Sequence, residues 1–441
     1  MIRISMIKTA GLRRLLRPAA KVAMMMMIAA LMGGNVAWAQ AAGTLDPKFG
    51  KGGTVTTTFT GAGSPVMMPV GAMEQPNGDI VVLSQFDFVN GSGTQIGLTR
   101  YTSAGVLDTT FGTKGSTITA FSTFTFGPSW FALESNGEFL VAGTVGGLAS
   151  GFVDFGLARF TAAGVLDTTF GTDGVVAVQV GTREDGPSAF LLQPNGQILM
   201  GGLENSGGKQ GPPAALSLAR FNSNGTLDTT FGASGVVLAS PAPLGGPQAL
   251  ALLSNGDYLA VGPSDDKNGI LVEFSSTGVQ QTTVTTGTVT ATSPSALELV
   301  PTLFESNGDY LVASPHCEGG SDCGGTDTKV QLFGETGVLN SGFSSTPFGF
   351  GGFHNTPQAL AVQSNGQVVV GDLVVPEASG PNFGGIARLD TNGELDTTFG
   401  SGGTLTVDNN VTALLIDTNG DILAIEGTGN DGIVVAAYLA N

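Results

Sequence analysis

The sequence predicts an all-β chain: a seven-bladed β-propeller of four-stranded antiparallel blades, its ring closed by the N-terminal strand joining the last blade. Three observations carry that prediction. The hexapeptide LDTTFG stands at Leu107, Leu166, Leu227 and Leu395, reads LDPKFG at Leu45 and LNSGFS at Leu339, and is worn to VQQTTV at Val279. Self-similarity at a period of about sixty residues marks a solenoid, a propeller or an array. An Asn-Gly pair between two apolar runs recurs once per copy, at Asn77, Asn136, Asn195, Asn255, Asn307, Asn365 and Asn419. No helical apolar period follows the first 39 residues.

Those first 39 residues read as an export signal. They hold six of the seventeen basic residues (Arg3, Lys8, Arg13, Arg14, Arg17 and Lys21) and none of the 35 acidic ones. An apolar run from Val22 to Met32 leads to Ala37-Trp38-Ala39, an A-x-A cleavage signal that leaves Gln40 as the first mature residue. The run is shorter than the roughly 20 residues of a membrane helix. Arg13-Arg14 raises twin-arginine export, but the residues after the pair suit general secretion better. Residues 40–441 are expected to form one propeller domain in the periplasm, on the surface or in the medium of a bacterium.

Each unit then spells four strands. In the fourth blade QALALL, from Gln248, leads into an Asn-Gly turn and DYLAVG, from Asp257, leads out. Asn-Gly between strands is a strong hairpin signal, read here as a type I′ turn with positive φ at both central residues. A third strand follows a loop of varied length: LTRY at Leu98, LARF at Leu157 and Leu218, LVEF at Leu271, VQLF at Val330, IARL at Ile386 and VAAY at Val435. The LDTTFG turn comes next, then a fourth strand such as GVVAVQV at Gly174. Apolar residues fill successive as well as alternate positions of the inner strands, as blades buried on both faces require. The chain ends after a third strand (Val434 to Asn441), whereas its mature start, Gly43 to Phe59, holds a turn motif and a fourth strand. Residues near Gly53 to Phe59 are therefore expected to complete the last blade and cover its edge.

The LDxxFGxxGxV unit, repeated with NGxxxxxG hairpins and an LARF strand, resembles the bacterial delta-sixty repeat proteins, which share an architecture with the NHL-type propellers. The resemblance spans Gly43 to Asn441, and the copies at Val279 and Leu339 depart from its motif. It implies a propeller and little chemistry.

Composition narrows the partners. Only 12% of the residues are charged and the net charge is −18. Such a surface repels phosphate backbones and anionic headgroups, so neither nucleic acid nor a membrane is expected as partner. The 69 glycines fall at turns between β-rich runs and do not imply disorder. Cys317 and Cys323, in PHCEGGSDCGG, are expected to pair as a disulfide in an oxidising compartment. A metal site built from them and His316 lacks a fourth ligand. No cofactor and no metal is expected.

Recurrence within one chain points to geometry, because a single active site does not need many copies. Arg100, Arg159, Arg220 and Arg388 precede Asp108, Asp167, Asp228 and Asp396 by eight residues. Where Glu273 or Leu332 replaces the arginine, the aspartate has become Gln281 or Asn340; Ala437 with Asp46 breaks the rule. Joint loss predicts a charge-assisted contact bracketing the turn, of about 0–1 kcal/mol for a partly exposed pair. Phe111, Phe170, Phe231 and Phe399 are expected to plug the space between blades. Pro69, Pro128, Pro187, Pro247 and Pro357, eight residues ahead of the Asn, are expected to open the hairpin strand, where no amide is needed. Two positions on, most blades hold Gly, Ala or Pro but the second holds Trp130, either a gap filler or a ligand platform.

The two short turns join strands at one face of the disc. The connections that vary, 84–97, 144–156, 203–215, 263–269, 314–328 and 372–385, with inter-blade links such as 182–186 and 344–355, collect at the other. Binding residues concentrate on such loops. Trp130, Arg183, Asp185, His316 and His354 are the candidate binding residues. No G-x-S-x-G, H-E-x-x-H, EF-hand, P-loop or dinucleotide fingerprint occurs. Glu184, Asp185, Asp265, Asp266, Glu318, Asp322 and Glu377 offer material for a glycosidase carboxylate pair, although most acids serve as solvated charge. The expected function is a non-enzymatic, exported binding or scaffold propeller, monomeric, presenting its variable loops to an extracellular protein or carbohydrate. The alternatives are an extracellular hydrolase or lyase using those acids, and a cell-surface structural protein.

Overall fold

A computed structural model describes residues 40–440, apart from 60–65, 89–92, 122–123, 148–152, 181–184, 205–214, 240–246, 264–268, 286–300, 306–307, 317–325, 353, 378–379 and 429–431. The expected signal, Arg183 and both cysteines lie outside the described residues. Ala41–Asn441 is one compact unit.

Every regular element among the described residues is a strand, and the strands form seven four-stranded antiparallel sheets. Blade 1 shows the plan: inner strand Val66–Glu74, second Ile80–Phe88, third Gly93–Tyr101 and outer Ser116–Thr119, each bonded to the next. Blades 2 to 6 repeat it in chain order. Blade 7 consists of Asn410–Ile416, Ile422–Gly427 and Gly432–Tyr438, with Thr54–Thr58 as its outer strand. Thr54 lies opposite Ala436 and Thr58 opposite Gly432. The Asp46 amide adds a hydrogen bond of 2.8 Å to the Ala437 carbonyl.

The core lies between blades. Val81 and Leu98 of blade 1 pack with Phe139, Val141 and Phe160 of blade 2. Met67 and Val82 pack with Leu423, Ile425 and Val435 of blade 7. Each sheet thus buries both faces against its neighbours, which removes the need for period-two patterning.

Three local expectations need correction. The Asn-Gly turns are not type I′: Gly78 has a φ of 86° while Asn77 is absent from the residues of positive φ. The Gln75 amide donates to the Asp79 carbonyl at 2.7 Å and the Gly78 amide to the Gln75 carbonyl at 2.8 Å. The loop therefore has three residues, a type I corner closed by a left-handed glycine. The asparagine acts through its side chain, its Oδ1 accepting from the Asp79 amide at 3.1 Å.

Secondly, four of the five prolines do not open their strands, whereas Pro247 stands two residues ahead of its strand, Ala249–Leu252. Pairing slips by one residue just after Pro69, Pro128, Pro187 and Pro357, at bulges where the missing amide costs nothing. Thirdly, the two departing copies make no LDTTFG-type turn. VQQTTV runs into the outer strand Gln280–Thr285 and LNSGFS into Leu339–Ser344. Without the arginine, the aspartate and the following glycine pattern, nothing holds the chain in the longer excursion.

Candidate binding face

The face that carries the short turns is locked by a repeated clamp. Arg100 Nε and Nη2 reach Asp108 Oδ2 at 2.8 and 2.7 Å, and the guanidinium lies 4.7 Å above the Phe111 ring. Arg100 Nη1 then crosses to blade 2 and donates to the Ala162 carbonyl at 3.3 Å. Arg159 repeats this with Asp167, Phe170 and the Ser223 carbonyl of blade 3. Arg220 does so with Asp228, Phe231 and the Ser276 carbonyl, and Arg388 with Asp396, Phe399 and the Ala440 carbonyl. Beside each clamp the turn glycine donates to the next blade, as Gly171 does to the Asn224 carbonyl at 3.0 Å.

The clamp sets the acidity of its carboxylates. Asp108 is held below the usual carboxylate range first by the hydroxyl and amide of Thr110, which donate to its Oδ1, and then by Arg100. At Asp167, Asp228 and Asp396 burial pushes upward, but the threonine two residues on and the arginine outweigh it, and all three are lowered.

On the opposite face the structure brings together two candidates far apart in sequence. His316 ends the second strand of blade 5, Tyr310–His316, and lies opposite Asp327. His354 opens the inner strand of blade 6, His354–Val362, and bridges Thr326. Both histidines, placed in loops by the sequence, are strand ends flanking the Thr326-Asp327 dipeptide. Asn355 ties this corner: its Nδ2 donates to the Thr326 carbonyl at 2.6 Å and its Oδ1 accepts from the Phe350 amide at 3.2 Å. His316 Nδ1 is buried and has no hydrogen-bond partner.

The other candidates do not join this corner. Asp185 begins the inner strand of blade 3, opposite Glu204. Trp130 follows the bulge at Pro128, opposite Ala142, and packs half-buried among Leu140, Phe155 and Met200 between blades 2 and 3. Of the acids offered for a carboxylate pair, Glu377 is exposed, and all the rest except Asp185 lie outside the described residues. Among the described residues no group of three or more His, Cys, Asp or Glu could hold a metal ion.

Two acids that sequence reasoning passed over stand out by burial. Asp372 is fully buried; Thr328 of blade 5 donates to its Oδ2 at 2.5 Å, its Oδ1 has no partner, and burial pushes its carboxyl up to about 7. Glu426 is 3% exposed, accepts from Asn409 Nδ2 at 3.0 Å, and burial pushes it up to about 7. Both stand seven residues after the hairpin asparagine, where the other blades have Ser84, Gly143, Gly202, Gly262 and Ser314. Aligning the repeats at that position would have flagged them.

Four segments of the chain, 75–111, 134–170, 193–231 and 363–399, match a domain of unknown function, DUF5122, described as a β-propeller. They fall on the four blades that carry the Arg-Asp-Phe clamp and together span less than half of the chain. No curated protein matches the sequence. A protein of unknown function from Dyadobacter fermentans DSM 18053 is 13% identical over 77% of this chain and 99% of its own, with a TM-score of 0.45. A luciferin-regenerating enzyme is 11% identical over 87% of this chain and 95% of its own, with a TM-score of 0.39. A glucose dehydrogenase is 11% identical over 87% and 99%, with a TM-score of 0.36.

Proposed function

We propose that the chain is an exported bacterial binding propeller of the delta-sixty repeat type, which holds an extracellular protein or carbohydrate on its variable-connection face without turning it over. The observation that carries this reading is the division of labour between the faces. One is spent on repeated turns clamped blade to blade; the other carries connections that differ in length and sequence from blade to blade, on a scaffold rigid enough to position them. The corner of His316, Asp327 and His354 supplies polar groups on that face, and the acidic balance favours a neutral or basic partner.

Immobilised protein spanning residues 40–441, probed with extracellular polysaccharides and with the secreted proteins of its host, should hold one partner saturably and release no product. Shortening 205–214 or 317–325 to a tight turn should abolish that capture and leave thermal unfolding unchanged. Product release, or capture indifferent to both deletions, contradicts the proposal.

A further inference from the structure

One of the repeated turns keeps its shape without its arginine. The first copy, LDPKFG at Leu45, leads into the outer strand of blade 7, and Ala437 stands where the clamped blades have Arg100, Arg159, Arg220 and Arg388. Blades 4 and 5 have lost arginine and aspartate together; blade 7 has lost the arginine alone. Its backbone repeats blade 1 bond for bond. The Asp46 amide donates to the Ala437 carbonyl at 2.8 Å, as the Asp108 amide does to Arg100 at 2.9 Å. The Ala437 amide donates to the Gly53 carbonyl at 2.9 Å, as the Arg100 amide does to Gly115 at 3.1 Å. The Gly50 amide crosses to Ala104 of blade 1 at 2.7 Å, as Gly112 crosses to Ala163 of blade 2 at 3.3 Å. The Lys48 amide holds Asp46 Oδ1 at 3.0 Å, the bond that the Thr110 amide makes to Asp108 Oδ1. Asp46 Oδ2 is therefore turned to where Asp108 Oδ2 meets its guanidinium.

Blade 2 shows what surrounds a guanidinium at that place. Arg159 has Asp167 at 2.6 Å, Glu138 at 3.3 Å and Glu134 at 3.8 Å, lies 4.7 Å over Phe170, and donates to the Ser223 carbonyl at 3.0 Å. The matching residues of blade 7 are Asp46, Asp421, Asp417, Phe49 and, across the joint, Ser103 of blade 1. Asp417 turns its carboxylate into its own hairpin, where Oδ1 accepts from the Asn419 and Asp421 amides at 2.8 Å. Asp421 Oδ1 accepts from the Ala440 amide at 3.0 Å. Among the described residues nothing donates to Asp46 Oδ2, Asp421 Oδ2 or the Ser103 carbonyl, and no ion pair reaches the three aspartates. Neither carboxylate oxygen is sealed from solvent. The charges are close enough to be felt: burial first, then Asp417 and Asp46, push Asp421 upward against the Ala440 amide. Lys48, exposed and standing in the place of Thr110, has the smallest influence of all.

We propose that the joint between blades 7 and 1 binds a guanidinium supplied from outside the chain, held by Asp46 and Asp421, capped by the Ser103 carbonyl and laid on the face of Phe49. Four blades of the same ring hold that group on residues of the same kind and position, so the acids do not stand alone as the argument. A guanidinium suits the place better than an ammonium, because its planar fork makes paired hydrogen bonds to a carboxylate while its flat face rests on an aromatic ring. The site lies on the face of the short turns, opposite the loops proposed to hold the partner, and the two proposals stand or fall separately.

N-acetylarginine amide, free arginine, N-acetyllysine amide and N-acetylcitrulline amide, each titrated at millimolar concentration against residues 40–441 by calorimetry and saturation-transfer NMR, test the proposal. An arginine compound should bind about tenfold or more tightly than the lysine and citrulline compounds. Tighter binding of the amide makes a protein side chain the source of the guanidinium, and tighter binding of free arginine makes it a small ligand. Ala437→Arg, which supplies the group from within as in the clamped blades, should abolish binding and raise the melting temperature. Asp46→Asn should weaken binding by roughly tenfold or more, and Lys48→Thr should retain it. No binding by either arginine compound, equal binding of the lysine or citrulline compound, or affinity indifferent to both Ala437→Arg and Asp46→Asn overturns the proposal. Binding confined to Lys48→Thr overturns it as well, since the lysine would then fill the place itself.

Discussion

Asp372 shows how one residue can set the response of the whole ring to pH. Its carboxyl is sealed between blades 5 and 6 with one hydrogen bond, so the folded chain keeps the proton up to about pH 7 while the unfolded chain releases it near the ordinary carboxylate value. Between those two values the folded state binds more protons, and stability falls as pH rises. Glu426 acts in the same sense over a similar window. The clamp aspartates act oppositely: their lowered values mean stability that is present above the ordinary carboxylate range and lost on acidification. Asp372→Asn should therefore lessen the loss of stability between about pH 4 and 7 and leave the variant more stable than the parent at pH 8, by an amount on the order of a few kcal/mol. Urea unfolding at pH 5 and pH 8 measures this; equal slopes for parent and variant would show that the side chain is solvated. Read alone, an aspartate after a run of valines looks like a strand end; only its alignment with the Ser or Gly of the other repeats points to that burial.

At the scale of the element, the LDTTFG turn is a joint as well as a reversal. Its arginine binds an aspartate of its own blade, rests on the phenylalanine and reaches a carbonyl of the next blade. The pairing by eight residues was legible in the sequence, as was the joint loss at Gln281 and Asn340; the crossing hydrogen bond was not, since it links turns in different repeats. Burial grades the clamps. The side chains of Arg220 and Arg388 are 7% and 3% exposed, that of Arg100 17%. Arg220→Ala strands the buried Asp228 and should cost about 3 kcal/mol or more, Arg100→Ala, whose aspartate is 15% exposed, about 1 kcal/mol, measured by denaturant unfolding; similar losses at both sites would contradict the role of burial. The hairpins teach a second lesson. Asn-Gly marked the places of the turns correctly, yet their type follows from the three-residue register closed by the left-handed glycine, which is the same whether Pro76 or Ser135 precedes the pair.

For the whole molecule, seven blades, their strand order and the two unlike faces could be read from the repeat, because a period and a turn chemistry suffice to specify them. The placing of His316 and His354 on either side of Thr326-Asp327 could not, since it depends on which strand end of blade 5 lies beside the first residue of blade 6. Neighbours share every interior layer, so an opening anywhere along the ring exposes core on two blades. Blade 7 is the place where that risk is greatest, as its outer strand comes from the opposite end of the chain. The most direct measurement is the thermal unfolding of protein beginning at residue 61, without Thr54–Thr58, beside protein beginning at residue 40. A closed ring that depends on its front strand should melt several degrees lower and less cooperatively once that strand is removed, whereas an unchanged, equally sharp transition would contradict it.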